Sequence, residues 1–460
     1  MKTPLVIISF DGLSTKDLEY VSEMPGFKRF LSEASGSKQV QSVYPSITYA
    51  AHASIITGCF PIRHGVVDNT KVEPQRYESP DWYWYQKDLK VPTLYDVAHQ
   101  NDYSVAALLW PTTGRSKIAY NMPEIFSNRK WTSQMMVSVY AGTPMYQLGM
   151  VKNHGHLRDG KKQPALDHFT TACTLETIEK YQPDMLLVHL TDLDSIRHLH
   201  GHNSPEAIDA LHRHDVRLTQ ILDALAAHEK YNHAYLAILG DHSSKDVTEG
   251  ISVNQKLKLL GYLKHITENE EPIEEKNLLG FRKIKEPKEI EGVQLTQIKA
   301  YAKSCDGSCY IYGFDDALKD EVLEDLQRLF ADMPEVQIYD HDTLVSKGAD
   351  PRAWCMLEAT PPYHFVDDLI EPWIQPVAQI PYYKGASVTA VHGFRPELAD
   401  YNTVFYVRGP YIEPHVDIPK MHLVDIAPTL ADLMGWSLLN VDGESFKRTL
   451  SPEHKQTKHL

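Results

Sequence analysis

Six residues able to bind a divalent cation, and one hydroxyl able to attack phosphorus, sit beside short apolar runs of this chain. Asp11 follows the run Leu5–Phe10, Asp194 and His198 follow Met185–Leu190, and Asp241 and His242 follow Tyr235–Leu239. His392 lies in Val391-His-Gly-Phe394, ahead of a further apolar run, Thr403–Arg408. Each has an ordinary explanation when taken alone. An Asp after a strand often caps the next helix, and a single His is more often a surface or core residue than a ligand. Together, three carboxylates and three imidazoles without a thiolate form the donor set of a Zn²⁺, Mn²⁺ or Fe²⁺ pair. Two such ions about 4 Å apart can clamp the attacking and leaving oxygens of an in-line phosphoryl displacement.

The hydroxyl is that of Thr48, in Val43-Tyr-Pro-Ser-Ile-Thr-Tyr-Ala-Ala-His52. An extended stretch running into a helix that starts at Thr48 would expose both its hydroxyl and the first-turn N–H groups. Those groups and the helix dipole suit a phosphoryl oxygen. A threonine hydroxyl is a weak nucleophile at neutral pH and needs activation. The competing reading is that Thr48 only caps the helix.

The elements that must position these residues follow from periodicity. Leu5–Phe10, Val105–Trp110, Met185–Leu190 and Tyr235–Leu239 are continuous apolar runs of strand length, suited to burial on both faces. An amphipathic helix runs from Ser204, an N-cap followed by Pro205, to about Glu229, with Ile208, Leu211, Leu218, Leu222 and Leu225 toward a sheet. Strands alternating with helices predict an α/β fold: a mostly parallel sheet sandwiched by helices, with its site beyond the strands' C-terminal ends. Residues 265–297, rich in Glu, Lys and Pro, read as loop or an exposed excursion. A smaller α+β pattern follows, with strands at Cys309–Tyr312, Val336–Tyr339 and Trp354–Glu358 and a helix at Ala317–Ala331. Thr403–Arg408 and a helix over Leu423–Leu433, stopping before Gly435, return to the core's style. The expected organisation is a core of residues 1–242 and 387–460, interrupted by a cap at 243–386.

The net charge of −15 disfavours a nucleic-acid polymer as partner, since phosphate-backbone binding wants a basic surface. Bound metal is the simplest local source of positive charge for an anionic substrate. Five scattered cysteines without a CxxC pair read as reduced thiols. No apolar stretch reaches the length of a membrane span and the N-terminus lacks a signal-peptide pattern, so a cytoplasmic location without membrane association is expected. The oligomeric state is left open.

The segment Tyr44-Pro45…Thr48-Tyr49…His52…Thr57-Gly58…Pro61…His64-Gly65…Asp68-Asn69 resembles a known nucleophile signature. Asp194-Ser-Ile-Arg-His198, Asp241-His242 and His392-Gly393 follow in the matching order. On these motifs the chain resembles the nucleotide pyrophosphatase/phosphodiesterase branch of the alkaline phosphatase superfamily, over roughly residues 3–242 and 387–435. The resemblance implies an alkaline phosphatase-like core and two divalent ions, Zn²⁺ first, with Mn²⁺ or Fe²⁺ as alternatives. It implies that Asp11, Thr48, Asp241 and His242 hold one ion and Asp194, His198 and His392 the other. It further implies attack by Thr48 on a small phosphorylated substrate, possibly a nucleotide, through a phospho-threonine intermediate. Tyr49, Asn69 and Trp110 are candidate substrate-binding residues, the two aromatics as faces for a base. Nucleotide-cleaving members carry Phe-Pro-Asn-His after the threonine where this chain has Tyr49-Ala50-Ala51-His52, which puts the nucleotide preference in doubt. A phosphomonoesterase or phosphonate hydrolase on the same site is the first alternative, and a non-catalytic metal-stabilised binding protein the second. Cys59-Phe-Pro-Ile-Arg63 fits the sulfatase pattern Cys-x-Pro-x-Arg, but it follows Thr57-Gly58 instead of opening the helix.

Overall fold

The computed structural model describes residues 2–129, 132–266, 274–276, 282–284, 294–380 and 386–452. Its central element is an eight-stranded sheet: β1 (Leu5–Phe10), β2 (Ser35–Gln41), β3 (Val105–Leu108), β4 (Tyr120–Met122), β5 (Met185–Leu190), β6 (Tyr235–Leu239), β7 (Thr403–Arg408) and β8 (Met421–His422). The spatial order is β8-β2-β7-β6-β1-β5-β3-β4. Every neighbouring pair is parallel except those made by β7, which runs against both β2 and β6. The expected mostly parallel sheet is what the chain builds.

The continuous apolar strands arise because both faces are covered. Successive side chains of a strand point to opposite faces. Leu5 and Ile7 of β1 join Met185 and Leu187 of β5 and Ala237 and Leu239 of β6 under one helical layer. Val6, Ile8 and Phe10 join Leu186, Val188, Leu190 and Ile238 under the other. The first layer contains α1 (Thr48–Thr57), through Ala50, Ala51, Ile55 and Ile56. The short helix α2 (Asp192–His200) leaves the end of β5. The second layer contains α3 (Pro205–Ala226), whose Ser204 hydroxyl caps the Ala207 N–H at 3.1 Å. Leu211, Leu218, Leu222 and Leu225 of α3 are buried as its periodicity predicts. Ile208 is only half-buried, because Ala207 and Ala210 take the contact at that turn. A late helix, α4 (Ile426–Met434), packs on α1 and ends at Gly435 in the left-handed conformation, where a glycine costs least.

The strand expected over Val105–Trp110 stops at Leu108. Leu109 has a positive φ of 54°, which turns Trp110 out of the sheet. Beyond β6, a four-stranded antiparallel sheet is built from Ala300–Cys305, Ser308–Gly313, Val336–Tyr339 and Cys355–Ala359, with a helix at Lys319–Leu329. In the stretch read as loop, Lys264–Ile266 pairs with Gln294–Thr296, and Glu274–Lys276 pairs with Arg282–Ile284. Apart from Gln297, the rest of that stretch lies outside the described residues. All five cysteines are buried and free. Among the described residues, no helix is long and apolar enough to cross a membrane.

His64, just after α1, is fully buried; its Nδ1 accepts the Val66 N–H at 3.1 Å, so its Nε2–H faces the Ser54 hydroxyl at 2.9 Å. A second ring proton would face the Val66 N–H, and burial holds the His64 pKa down at about 3. The unfolded chain takes up that proton near pH 6.5. His64 therefore contributes stability that is full above about pH 6.5 and is lost as pH falls toward 3, on the order of a few kcal/mol. The urea midpoint should drop between pH 7 and pH 4, and the drop should be shallower in His64→Asn, which cannot titrate. An identical pH dependence in the variant would contradict this account.

Candidate active site

The C-terminal ends of β1, β5 and β6 bring the expected residues to one place. Asp11 leaves β1, Asp194 and His198 sit on α2, Asp241 and His242 leave β6, and His392 follows the short strand Ala390–Val391. Two groups of donor atoms gather there, each within 4.8 Å: Asp11, Asp241 and His242 in one, and Asp194, His242 and His392 in the other. Thr48 stands at the same place, its Oγ1 3.1 Å from His242 Nε2. His198 is outside both groups. Its Nε2 lies 3.3 Å from Asp194 Oδ2, and its ring centroid is 5.1 Å from that of His392.

The charges in this cluster leave a gap that a cation fits. His242 Nδ1 lies 3.2 Å from the Ser243 carbonyl, a contact in which only a ring N–H can bond. That contact leaves Nε2 facing Asp11 Oδ1 at 3.4 Å and Asp241 Oδ2 at 3.2 Å. Both of these oxygens, and His392 Nδ1, are buried and hydrogen-bonded to nothing. Asp11 Oδ1, Asp241 Oδ2 and His242 Nε2 are acceptors turned toward one another, and they need a proton or a metal ion between them. Burial, with Asp241 and Asp194 nearby, pushes the Asp11 carboxyl well above its ordinary value. Burial also holds His392 well below the ordinary histidine value, with His242 adding to it. The oxygen and nitrogen donors, without sulfur, suit Zn²⁺, Mn²⁺ or Fe²⁺. The residues present therefore fit a pair of divalent ions.

The second group is oriented from behind. His198 Nδ1 donates to the Ala390 carbonyl at 2.8 Å, which aims Nε2 at Asp194. Burial opposes the charge on His198, yet Asp194 raises its pKa to about 9. Burial works against the Asp194 carboxylate too, and His198 nevertheless holds it below the usual carboxylate range.

Thr48 is not a cap. It is the first residue of α1, the N-cap is Ile47, and the Thr48 hydroxyl reaches His242 instead of a helix amide. Asn69 Oδ1 accepts the Tyr49 N–H at 2.9 Å, so this carboxamide is fixed one residue from the hydroxyl. The two aromatic candidates are corrected by burial. Tyr49 is sealed against Trp82 with its hydroxyl on the Glu124 carbonyl, and Trp110 is packed edge-on against His52. Neither ring presents a face on which a base can stack. Cys59 of the sulfatase-like pattern lies past the far end of α1, with its thiol raised by burial.

Sequence reasoning missed the layer beneath the cluster. Ser9 and His189 are register partners on β1 and β5 and point to the α1 side of the sheet. His52 Nδ1 donates to the Thr48 carbonyl at 2.8 Å, so its Nε2 accepts the Ser9 hydroxyl at 2.9 Å. His189 Nε2 lies 3.2 Å from Asp11 Oδ2, and its Nδ1 donates to the Leu109 carbonyl at 3.1 Å. Burial disfavours the imidazolium, but Asp11 and Glu124 raise the His189 pKa well above its ordinary value. The available signal was a histidine inside the otherwise apolar run Met185–Leu190.

The profile of the family "Type I phosphodiesterase / nucleotide pyrophosphatase" matches residues 5–358. The chain belongs to this family. Venom phosphodiesterase 2 of Crotalus adamanteus is 23% identical over 258 residues, 54% of this chain and 27% of that protein. Human ectonucleotide pyrophosphatase/phosphodiesterase family member 1 is 22% identical over 252 residues, 52% of this chain and 23% of that protein. The match thus spans only about a quarter of the length of these curated relatives. Murine ectonucleotide pyrophosphatase/phosphodiesterase 5 superimposes with a TM-score of 0.64 at 16% identity, covering 96% of this chain and 98% of that one. The same murine protein has also been solved as an inactive threonine-to-alanine form in complex with AMP, at 15% identity and the same TM-score. These likenesses give this family member the alkaline phosphatase-like fold.

Proposed function

We propose that this family member hydrolyses phosphodiester or pyrophosphate bonds of small, nucleotide-type substrates, with Thr48 as nucleophile. The observation that carries the reading is the Thr48 hydroxyl at the start of α1, 3.1 Å from His242 and beside both donor groups. Asp11, Thr48, Asp241 and His242 would hold one divalent ion, and Asp194, His198 and His392 the other. Such ions, Zn²⁺ first among them, would supply Lewis acidity and the positive charge that a chain of net charge −15 lacks.

The chain's own groups do the positioning. The Asn69 carboxamide spends its oxygen on the Tyr49 N–H, which leaves its NH₂ to donate to a phosphoryl oxygen at the start of α1. The helix dipole adds to that attraction. His189 and His52 hold Asp11 and the Thr48 turn from below, so the hydroxyl is presented in one orientation. Attack by Thr48 Oγ1 forms a Thr–O–P bond as the P–O bond to the leaving group breaks, with the hydroxyl proton passing to water and the other substituent staying on phosphorus. Water then cleaves the phospho-threonine and regenerates the hydroxyl. In our reading the described residues of 243–386 form a wall beside this site. The turn at Asp306-Gly307 supports it, since the Gly307 N–H donates to the His392 carbonyl at 2.9 Å.

A panel of nitrophenyl phosphate monoester, diester and phosphonate monoester substrates, with dinucleoside polyphosphates beside them, tests the reading. A diester or pyrophosphate preference of at least about 10-fold in kcat/KM is expected. A preference for the simple monoester would transfer the site to phosphomonoesterase chemistry.

A further inference from the structure

Lys303 interrupts the apolar strand Ala300–Cys305 and is only 6% exposed. Its Nζ donates to Asp367 Oδ2 at 2.8 Å and to the Ser304 carbonyl at 3.0 Å, and lies 3.3 Å from Asp68 Oδ2. Asp367 belongs to the same side of the chain, where its other oxygen accepts the Ser304 N–H at 2.7 Å. Asp68 belongs to the segment that follows α1. Its Oδ1 accepts the Asn69 N–H at 2.6 Å, and Asn69 Oδ1 in turn accepts the Tyr49 N–H at 2.9 Å. Lys303 thus meets Asp68 by charge alone, since Asp68 Oδ2 takes no hydrogen bond, and hydrogen bonds run on from Asp68 Oδ1 through Asn69 to the residue after Thr48.

A buried lysine between two carboxylates is a poor source of stability, since desolvation offsets most of the attraction. Burial opposes the Lys303 charge, and Asp367 and Asp68 together raise its pKa well above the ordinary lysine value, so the ammonium persists. What such a cluster does fix is geometry. Asp68 could turn either oxygen toward the Asn69 N–H; attraction to the ammonium at 3.3 Å draws Oδ2 to Lys303, and Oδ1 is left for Asn69.

We propose that Lys303 is a positioning residue for the phosphoryl-transfer site: by clamping Asp68, it sets the Asn69 carboxamide against the first turn of α1. The proposal rests on the reading of Thr48 and Asn69 given above. It gives Lys303 a role at the site exerted through Asp68 and Asn69.

The test is a double-mutant cycle on diester hydrolysis, with Lys303→Met and Asp68→Ala each made alone and combined with Asn69→Ala. Lys303→Met and Asp68→Ala should each lower kcat about 10- to 100-fold with KM nearly unchanged, the scale expected of a misplaced polar contact. In the Asn69→Ala background neither should cause further loss, because the group they position is gone. Losses that multiply in that background would overturn the proposal. Asp68→Ala leaves Lys303 paired with Asp367, so it carries the test if Lys303→Met does not fold. Crystal structures of the variants give a readout independent of turnover: the Asn69 Oδ1 to Tyr49 N contact should be broken. Its retention at hydrogen-bond length in both variants would refute the positioning role even in an active enzyme. If the wild-type protein cleaves no phosphodiester, the functional reading falls, and this distance still decides whether Lys303 sets Asn69.

Discussion

Thr48→Ala should lower kcat by on the order of 10³-fold or more, the scale of removing other catalytic nucleophiles. The hydroxyl is 3.1 Å from His242 Nε2 and within reach of both donor groups, so its loss removes the covalent route altogether. Thr48→Ser keeps the oxygen and should retain measurable turnover. The stability side of the comparison is equally sharp. Losing a genuine threonine N-cap costs about 1 kcal/mol. Here Ile47 occupies the N-cap and the Thr48 side chain bonds no helix amide, so the melting temperature of Thr48→Ala should stay close to wild type. A variant with near-normal kcat and a clearly lowered melting temperature would reverse both conclusions.

Extracting divalent ions with a chelator should reduce turnover at least about 10²-fold, with recovery on adding Zn²⁺ or Mn²⁺. The reason is electrostatic. Buried oxygens of Asp11 and Asp241 and a buried nitrogen of His392 find no protein donor, and they lie in groups only 4.8 Å across. Asp194→Ala should lower the metal content of the purified protein by about one ion per chain. The circular dichroism spectrum should be unchanged, because Asp194 lies at the end of the sheet and outside both of its apolar layers. Undiminished hydrolysis by protein shown to be metal-free would remove the two-ion interpretation.

The order of strands and helices was legible because burial on two faces writes itself as unbroken apolar runs. β1, β5 and β6 have the bounds that their runs predict. The convergence of Asp11, Asp194, Asp241 and His392 near Thr48 could be anticipated because a parallel sheet brings its C-terminal strand ends together. Residues that act through another residue left weaker traces. His189 appears as one polar letter inside an apolar strand and Lys303 as one charged letter in a mostly apolar one, and their partners, Asp11 and Asp68, are 178 and 235 positions away. Tyr49 and Trp110 were misread for the opposite reason. An aromatic beside a reactive residue looks the same in sequence whether it faces ligand or core, and here Trp82 and His52 cover them. The end of β3 at Leu108 depended on a single backbone angle at Leu109, for which an apolar run gives no warning.

The one antiparallel strand of the central sheet, β7, has a consequence for how the chain is made on the ribosome. β7 is the only link between β6 and the early strand β2, yet it lies about 160 residues after β6 in the sequence. At translation rates of roughly 5–20 residues per second, that interval lasts on the order of 10–30 s. Throughout it, one edge of β6 and both edges of β2 have none of their final partners, and unpaired edges invite pairing with other chains. The nascent protein thus has its window of greatest aggregation risk while residues 243–402 are being synthesised. Slowing translation across that region should demand more chaperone assistance than slowing it anywhere before β6.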